Sequence, residues 1–95
     1  MSQTVDDLTI SYSEGGVELV KELDKIVLTK GAWATLLYKY QDWDARKGEY
    51  GQVKFTIRRY QKRNEKYSPK SKFNISSEDQ ARKIIAALND WLPDE

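Results

Sequence analysis

The sequence predicts an α+β domain in which a twisted, four-stranded antiparallel sheet is followed by one C-terminal amphipathic helix, the whole forming a homodimer. Three observations carry this prediction. Two long segments alternate in polarity with a period of two, one segment near the C-terminus repeats its apolar residues every three or four positions, and the chain has only 95 residues. A chain of that length makes one domain and leaves much of its surface exposed, so a core shared between two copies is expected. Residues 1–16 are read as an N-terminal tail or short extra strand, and residues 17–95 as a single domain.

In chain order, Leu8 to Tyr12 followed by Glu14-Gly15-Gly16 reads as a short strand and turn or as an ordered tail. Lys25-Ile26-Val27-Leu28-Thr29 is rich in β-branched residues and is assigned to a strand, although Leu19, Val20, Leu23, Ile26 and Val27 also fit one helical stripe. Residues 33–43 form the second strand. Ala34, Leu36, Tyr38 and Tyr40 share the face assigned to the core, and Trp33, Thr35, Leu37, Lys39, Gln41 and Trp43 share the other. Residues 44–51 contain Gly48 and Gly51 and read as a hairpin loop.

The third strand spans residues 52–62, with Val53, Phe55 and Ile57 expected to face the core and Lys54, Thr56, Arg58, Tyr60 and Lys62 expected to face outward. Residues 63–70, with Ser68-Pro69, read as a loop, and residues 72–75 as a short fourth strand in which Phe73 and Ile75 alternate with Asn74. The helix begins at Ser77 as N-cap, with Gln80 three residues on, and Pro93 ends it. Ala81, Ile84, Ile85, Leu88, Trp91 and Leu92 make its apolar stripe. Ile84, Ile85, Leu88 and Trp91 are the expected dimer seam, with Trp91 buried.

Charge is segregated along the chain. Between Arg46 and Lys72 stand ten basic residues and two acidic ones, whereas residues 1–45 carry eight acids against four bases and residues 73–95 five acids against two bases. The overall net charge of +1 conceals this. Aromatic residues are threaded through the basic stretch, which supplies both cations for phosphates and rings for bases. A merely solvated sheet face usually mixes signs, and this one does not.

The sequence contains no cysteine and no histidine. Disulfides, thiolate nucleophiles and cysteine metal sites are thereby excluded, along with the commonest general base and transition-metal ligand. The carboxylates form no recognisable catalytic constellation, so neither enzymatic activity, a catalytic residue, a metal site nor a cofactor is expected. The N-terminus lacks the pattern of a signal peptide and no apolar run reaches membrane-spanning length, which makes the expected location cytoplasmic, nucleoid-associated in a bacterium, without membrane or small-molecule partners.

The order of elements, the Ile57-Arg58-x-Tyr60 signature, the Phe73-Asn74-Ile75 strand and the Ser76-Ser77-Glu78 helix start resemble the single-stranded DNA-binding domain of the positive cofactor four family of transcriptional coactivators, in its short bacterial branch. The resemblance covers residues 25–92, and Trp33 and Trp43 are similar to tryptophans of that branch. It implies a homodimer that holds single-stranded DNA on sheet surfaces and loops, with Arg58 meeting the backbone and Tyr60 close to the bases. Two positions depart from the family pattern. Gln61 stands where some members carry a tryptophan, and Ser71-Lys72 replaces a Lys-Gly pair. The serine-rich, acidic regulatory extension is absent, so phosphorylation control is not carried over.

The expected function is binding of single-stranded DNA with low sequence specificity, in transcription regulation, replication or repair. Trp33, Lys39, Trp43, Lys54, Arg58, Tyr60, Lys62, Arg63, Lys66, Lys70 and Lys72 are the expected nucleic-acid contacts. Two alternatives share the same residues: RNA binding, and a homodimeric protein-interaction module with an acidic partner.

Overall fold

The computed structural model describes residues 4–92, so Pro93, expected to end the helix, lies outside the described residues. The protein is α+β: a curled antiparallel sheet and one C-terminal helix. The strands are β1 (Tyr12–Glu14), β2 (Val17–Thr29), β3 (Trp33–Asp44), β4 (Glu49–Tyr50), β5 (Lys54–Arg63) and β6 (Lys66–Ile75), and the helix is α1 (Glu78–Trp91). Their order in the sheet is β1-β2-β3-β5-β6, with β4 paired to the end of β3.

Six strands thus replace the four expected, and two of the expected strands are much longer. β2 starts at Val17 rather than Lys25, and the register with β3 shifts at Leu23 and again at Leu28. Each shift inserts one residue and breaks the period of two. The spacing of Leu19, Val20, Leu23, Ile26 and Val27 imitates a helical stripe for this reason.

β6 begins at Lys66 because Asn64 and Glu65 both take positive φ, 50° and 65°, which closes a two-residue hairpin with the twist its strands require. The expected loop over residues 63–70 is therefore mostly strand. Pro69 cannot donate to a ladder, and the register shifts beside it, with Tyr60 opposite Pro69 and Arg59 opposite Ser71, so that Lys70 is the extra residue. β6 lies at the edge of the sheet, where a bulge and a proline are tolerated.

The core lies on one face of the sheet, called the inner face below. As expected, Ala34, Leu36, Tyr38 and Tyr40 are buried there. The register carries β5 with them: Ala34 is opposite Tyr60, Leu36 opposite Arg58, Tyr38 opposite Thr56, and Tyr40 opposite Lys54. Residues directly opposite in an antiparallel pair share a face. This corrects the orientation expected for β5. Its Lys54-Thr56-Arg58-Tyr60-Lys62 side belongs to the core face, while Phe55 and Ile57 share the outer face with Trp33, Leu37 and Lys39.

The N-terminal segment closes the inner face. A single 3₁₀ turn (Val5–Asp7) leads into Leu8, which is 7% exposed and packs with Ala34, Leu36, Tyr38 and Tyr60. Lys25 Nζ donates to the carbonyls of Val5, Asp6 and Leu8 at 3.2, 3.2 and 2.7 Å. Glu22 accepts from Thr9 Oγ1 at 2.6 Å and from the Ile10 amide at 3.3 Å. Two β2 side chains thus satisfy backbone groups that make no ladder of their own.

α1 starts as expected. Ser77 Oγ accepts from the Gln80 amide at 3.1 Å, and Gln80 Oε1 reaches back to the Ser76 amide at 3.0 Å, one residue earlier than a strict capping box. Asp79 and Lys83 form an exposed ion pair at 3.3 Å. The helix sits beside Phe55 on the outer face, across a shallow cavity also lined by Glu78, Ala81, Arg82 and Ile85. None of its residues is fully buried, and Trp91, expected in the interior, is 74% exposed. The helix meets the sheet mainly at β6, and most of its apolar stripe stays uncovered.

Candidate nucleic-acid interface

β5, the Asn64-Glu65 turn and β6 form a two-stranded ribbon that holds eight Lys and Arg residues between Lys54 and Lys72 and one acid, Glu65. Alternation places Lys54, Arg58, Lys62 and Lys72 on the inner face and Arg59, Arg63 and Lys66 on the outer, with Lys70 in the bulge. The expected contact residues therefore divide between two faces. Trp33 and Lys39 lie on the outer face, opposite to Arg58, and Trp43 follows the same alternation at the far end of β3.

Of the eight ribbon cations, only Lys54 has a carboxylate partner among the described residues, Asp42 at 3.0 Å across β3 and β5. The other seven have none within 4.0 Å among those residues. Two of them lie against rings. Arg59 stacks over Trp33 at 4.8 Å from the ring centroid, and Lys62 approaches Tyr67 at 5.4 Å.

Arg58 is held by its own strand. Its Nε donates to Thr56 Oγ1 at 3.1 Å, and the fully buried Thr56 hydroxyl donates onward to Asn74 Oδ1 at 2.7 Å, with the Phe73 carbonyl at 3.3 Å as the other acceptor in reach. Lys72 stands directly opposite Arg58 in the register. Pro69, Lys70, Ser71 and Lys72 line a groove with Arg58.

Tyr60 does not offer its ring to a base. It is 6% exposed, covered by Leu8, and its hydroxyl shares a hydrogen bond with Tyr38 at 3.3 Å. Ala34, directly opposite, is buried in the same cluster. Burial, followed by the bond to Tyr60, pushes the Tyr38 phenol well above its ordinary value of 10.0. These two tyrosines are structural.

Trp43 is half-buried and meets Tyr50 edge-on at 5.1 Å and 73°, which braces the β3–β4 hairpin. Trp33 is the accessible ring, 43% exposed, with Arg59 beside it. Arg59 was not among the expected contacts. The signal that could have found it is its outer-face parity with Trp33, visible only once the β3–β5 register is known. Thr56 and Asn74 were missed for a similar reason, since neither carries charge or a ring.

Of the expected dimer residues, Ile84 is half-buried while Ile85 and Leu88 are exposed with Trp91. Ile26, Leu28 and Phe73 are also exposed, on β2 and β6. No helix among the described residues is long and apolar enough to cross a membrane. Comparison with protein-family models, with curated proteins and with solved structures finds no match for the chain.

Proposed function

We propose that this chain binds single-stranded nucleic acid, DNA in the first instance, with low sequence specificity along the β5–β6 ribbon, in transcription regulation, replication or repair. One observation carries the reading: seven cations on a single hairpin have no carboxylate partner among the described residues. Like charges so arranged repel one another, and a polyanion laid along them relieves that repulsion while releasing its own counterions. Lysines and arginines that contact phosphates position a strand without reading its bases, hence the low specificity. Trp33, with Arg59 stacked on it, supplies a platform for a base, and every base has a face to stack. With Tyr60 and Tyr38 in the core, charge carries most of the affinity.

The same proposal includes a homodimer, in which Ile84, Ile85, Leu88 and Trp91 of α1 meet a second copy. Support comes from the exposure of that stripe, since burying a large apolar side chain is worth roughly 1.5–3 kcal/mol. A Leu88→Glu substitution on the exposed helix leaves the fold intact and converts the sedimenting species from dimer to monomer. A wild-type chain that sediments as a monomer at high micromolar concentration refutes the dimer.

Binding is tested by fluorescence anisotropy with labelled oligo-dT, competed in turn by oligo-U, duplex DNA and heparin. The proposal expects oligo-dT to compete best per charge. Equal competition by oligo-U assigns the surface to single strands of either sugar, because the ribbon cations address phosphates that both polymers share. Equal competition by heparin refutes nucleic-acid recognition and leaves an acidic protein partner as the occupant.

A further inference from the structure

Arg58 and Lys72 are direct cross-strand neighbours on the inner face, and no carboxylate of the described residues lies within 4.0 Å of either. Like charges placed directly opposite each other destabilise a sheet, so the arrangement is favourable only when an anion lies between them. Arg58 is also oriented. Its Nε–H is taken by Thr56 Oγ1, and the four N–H bonds of its two terminal nitrogens have no protein acceptor among the described residues. A guanidinium fixed through Nε presents its terminal edge as a two-point donor whose spacing matches two oxygens of a phosphate.

We infer that Arg58 and Lys72, with Lys70 and Ser71 lining the same groove, form one oxyanion subsite, and that Thr56 and Asn74 are its positioning residues. The subsite rests on the single-strand reading for its natural ligand, a phosphodiester of the bound strand. Thr56 is suited to the role because a hydroxyl both donates and accepts. It accepts from Arg58 while donating to Asn74, its own cross-strand partner. Because Thr56 is fully buried, that hydroxyl has no water to turn to, and its direction is set by the two partners. Valine has the same shape and would fill the same space, but it would leave the guanidinium free to rotate away from the groove.

The test compares wild type with Thr56→Val, Thr56→Ser and Asn74→Ala, the last at an exposed position that leaves the fold undisturbed. Oligo-dT affinity is read below the melting temperature of each variant. Thr56→Val is expected to weaken binding about fivefold, the value of one lost orienting hydrogen bond, with the salt dependence unchanged because no charge is removed. Thr56→Ser keeps the hydroxyl and restores affinity, and Asn74→Ala falls between them. A second readout is the Arg58 Nε–Hε correlation in a titration with inorganic phosphate, which shifts in wild type and not in Thr56→Val.

Equal affinity of Thr56→Val and wild type overturns the inference, as does an equal loss in the valine and serine variants. So does an Arg58 resonance indifferent to inorganic phosphate. Should wild type fail to bind oligo-dT while its Arg58 resonance still responds to phosphate in a Thr56-dependent way, the single-strand reading falls and the subsite stands as a site for a free phosphate.

Discussion

The salt dependence of oligo-dT binding is the most demanding test of the proposed interface, because the number of unpaired ribbon cations sets the slope it should show. Among the described residues seven ribbon cations lack a carboxylate partner, while Lys54 is compensated by Asp42 at 3.0 Å. If each of the seven neutralises one phosphate of a single strand, log affinity falls with log salt at a slope of about −5 per protomer, since each contact contributes about 0.7. Over a fourfold rise in salt, that slope lowers affinity by roughly a thousandfold. Arg63→Ala removes one uncompensated charge and flattens the slope by about 0.7. Replacing the ion pair as a unit, Lys54→Gln with Asp42→Asn, removes no uncompensated charge and leaves the slope where it was. Anisotropy titrations over a series of salt concentrations measure all three. A slope near zero, or equal flattening by the Arg63 and paired variants, refutes the argument that free cations on this hairpin meet phosphates.

Trp33→Ala lowers oligo-dT affinity by about 1–3 kcal/mol at unchanged salt slope, as expected for a lost stacking surface; an unaltered affinity removes Trp33 from the interface. Tyr60→Phe leaves that affinity untouched but costs about 1 kcal/mol in denaturant unfolding, because the buried Tyr38 hydroxyl loses its partner. Leu8→Ala destabilises by about 2–3 kcal/mol in the same assay, since it opens a cavity over Ala34, Leu36, Tyr38 and Tyr60; a loss below about 0.5 kcal/mol would show that the N-terminal segment does not seal the core. The Tyr38 phenol has a folded-state pKa above its unfolded one, so its contribution to stability is full below pH 10 and is lost as pH rises beyond it. Ultraviolet titration should show one tyrosine whose ionisation coincides with alkaline unfolding, and reversible ionisation of every tyrosine in the folded state would contradict this.

Local signals were legible wherever one short stretch settles the matter. Ser77 and Gln80 mark the start of α1 through hydrogen bonds spanning only a few residues: Ser77 caps the Gln80 amide as expected, and the Gln80 side chain reaches back to Ser76 rather than to Ser77. The alternation of Ala34, Leu36, Tyr38 and Tyr40 announces a half-buried strand, and those four residues are buried. Two bulges in β2 disguised a long strand as a mixture of strand and helix, because each extra residue moves the apolar positions out of phase. The hairpin between β5 and β6 escaped notice because Asn64-Glu65 lacks the glycine that usually signals two positive-φ positions.

Alternation in β5 shows which residues share a face but not which face is covered, for Phe55 and Ile57 are as apolar on one side as Thr56 and Tyr60 are packable on the other. The choice was made by register with β3, which sets Tyr60 on Ala34, and by Leu8, which arrives from the far end of the chain to close over both. The amino-acid sequence alone determined the α+β class, the C-terminal helix and the concentration of positive charge between Arg46 and Lys72, since each follows from neighbours along the chain. Only the tertiary structure decided that Tyr60 is core, that Arg59 lies on Trp33 and that Thr56 holds Arg58, because burial and hydrogen bonding are properties of residues brought together from distant strands.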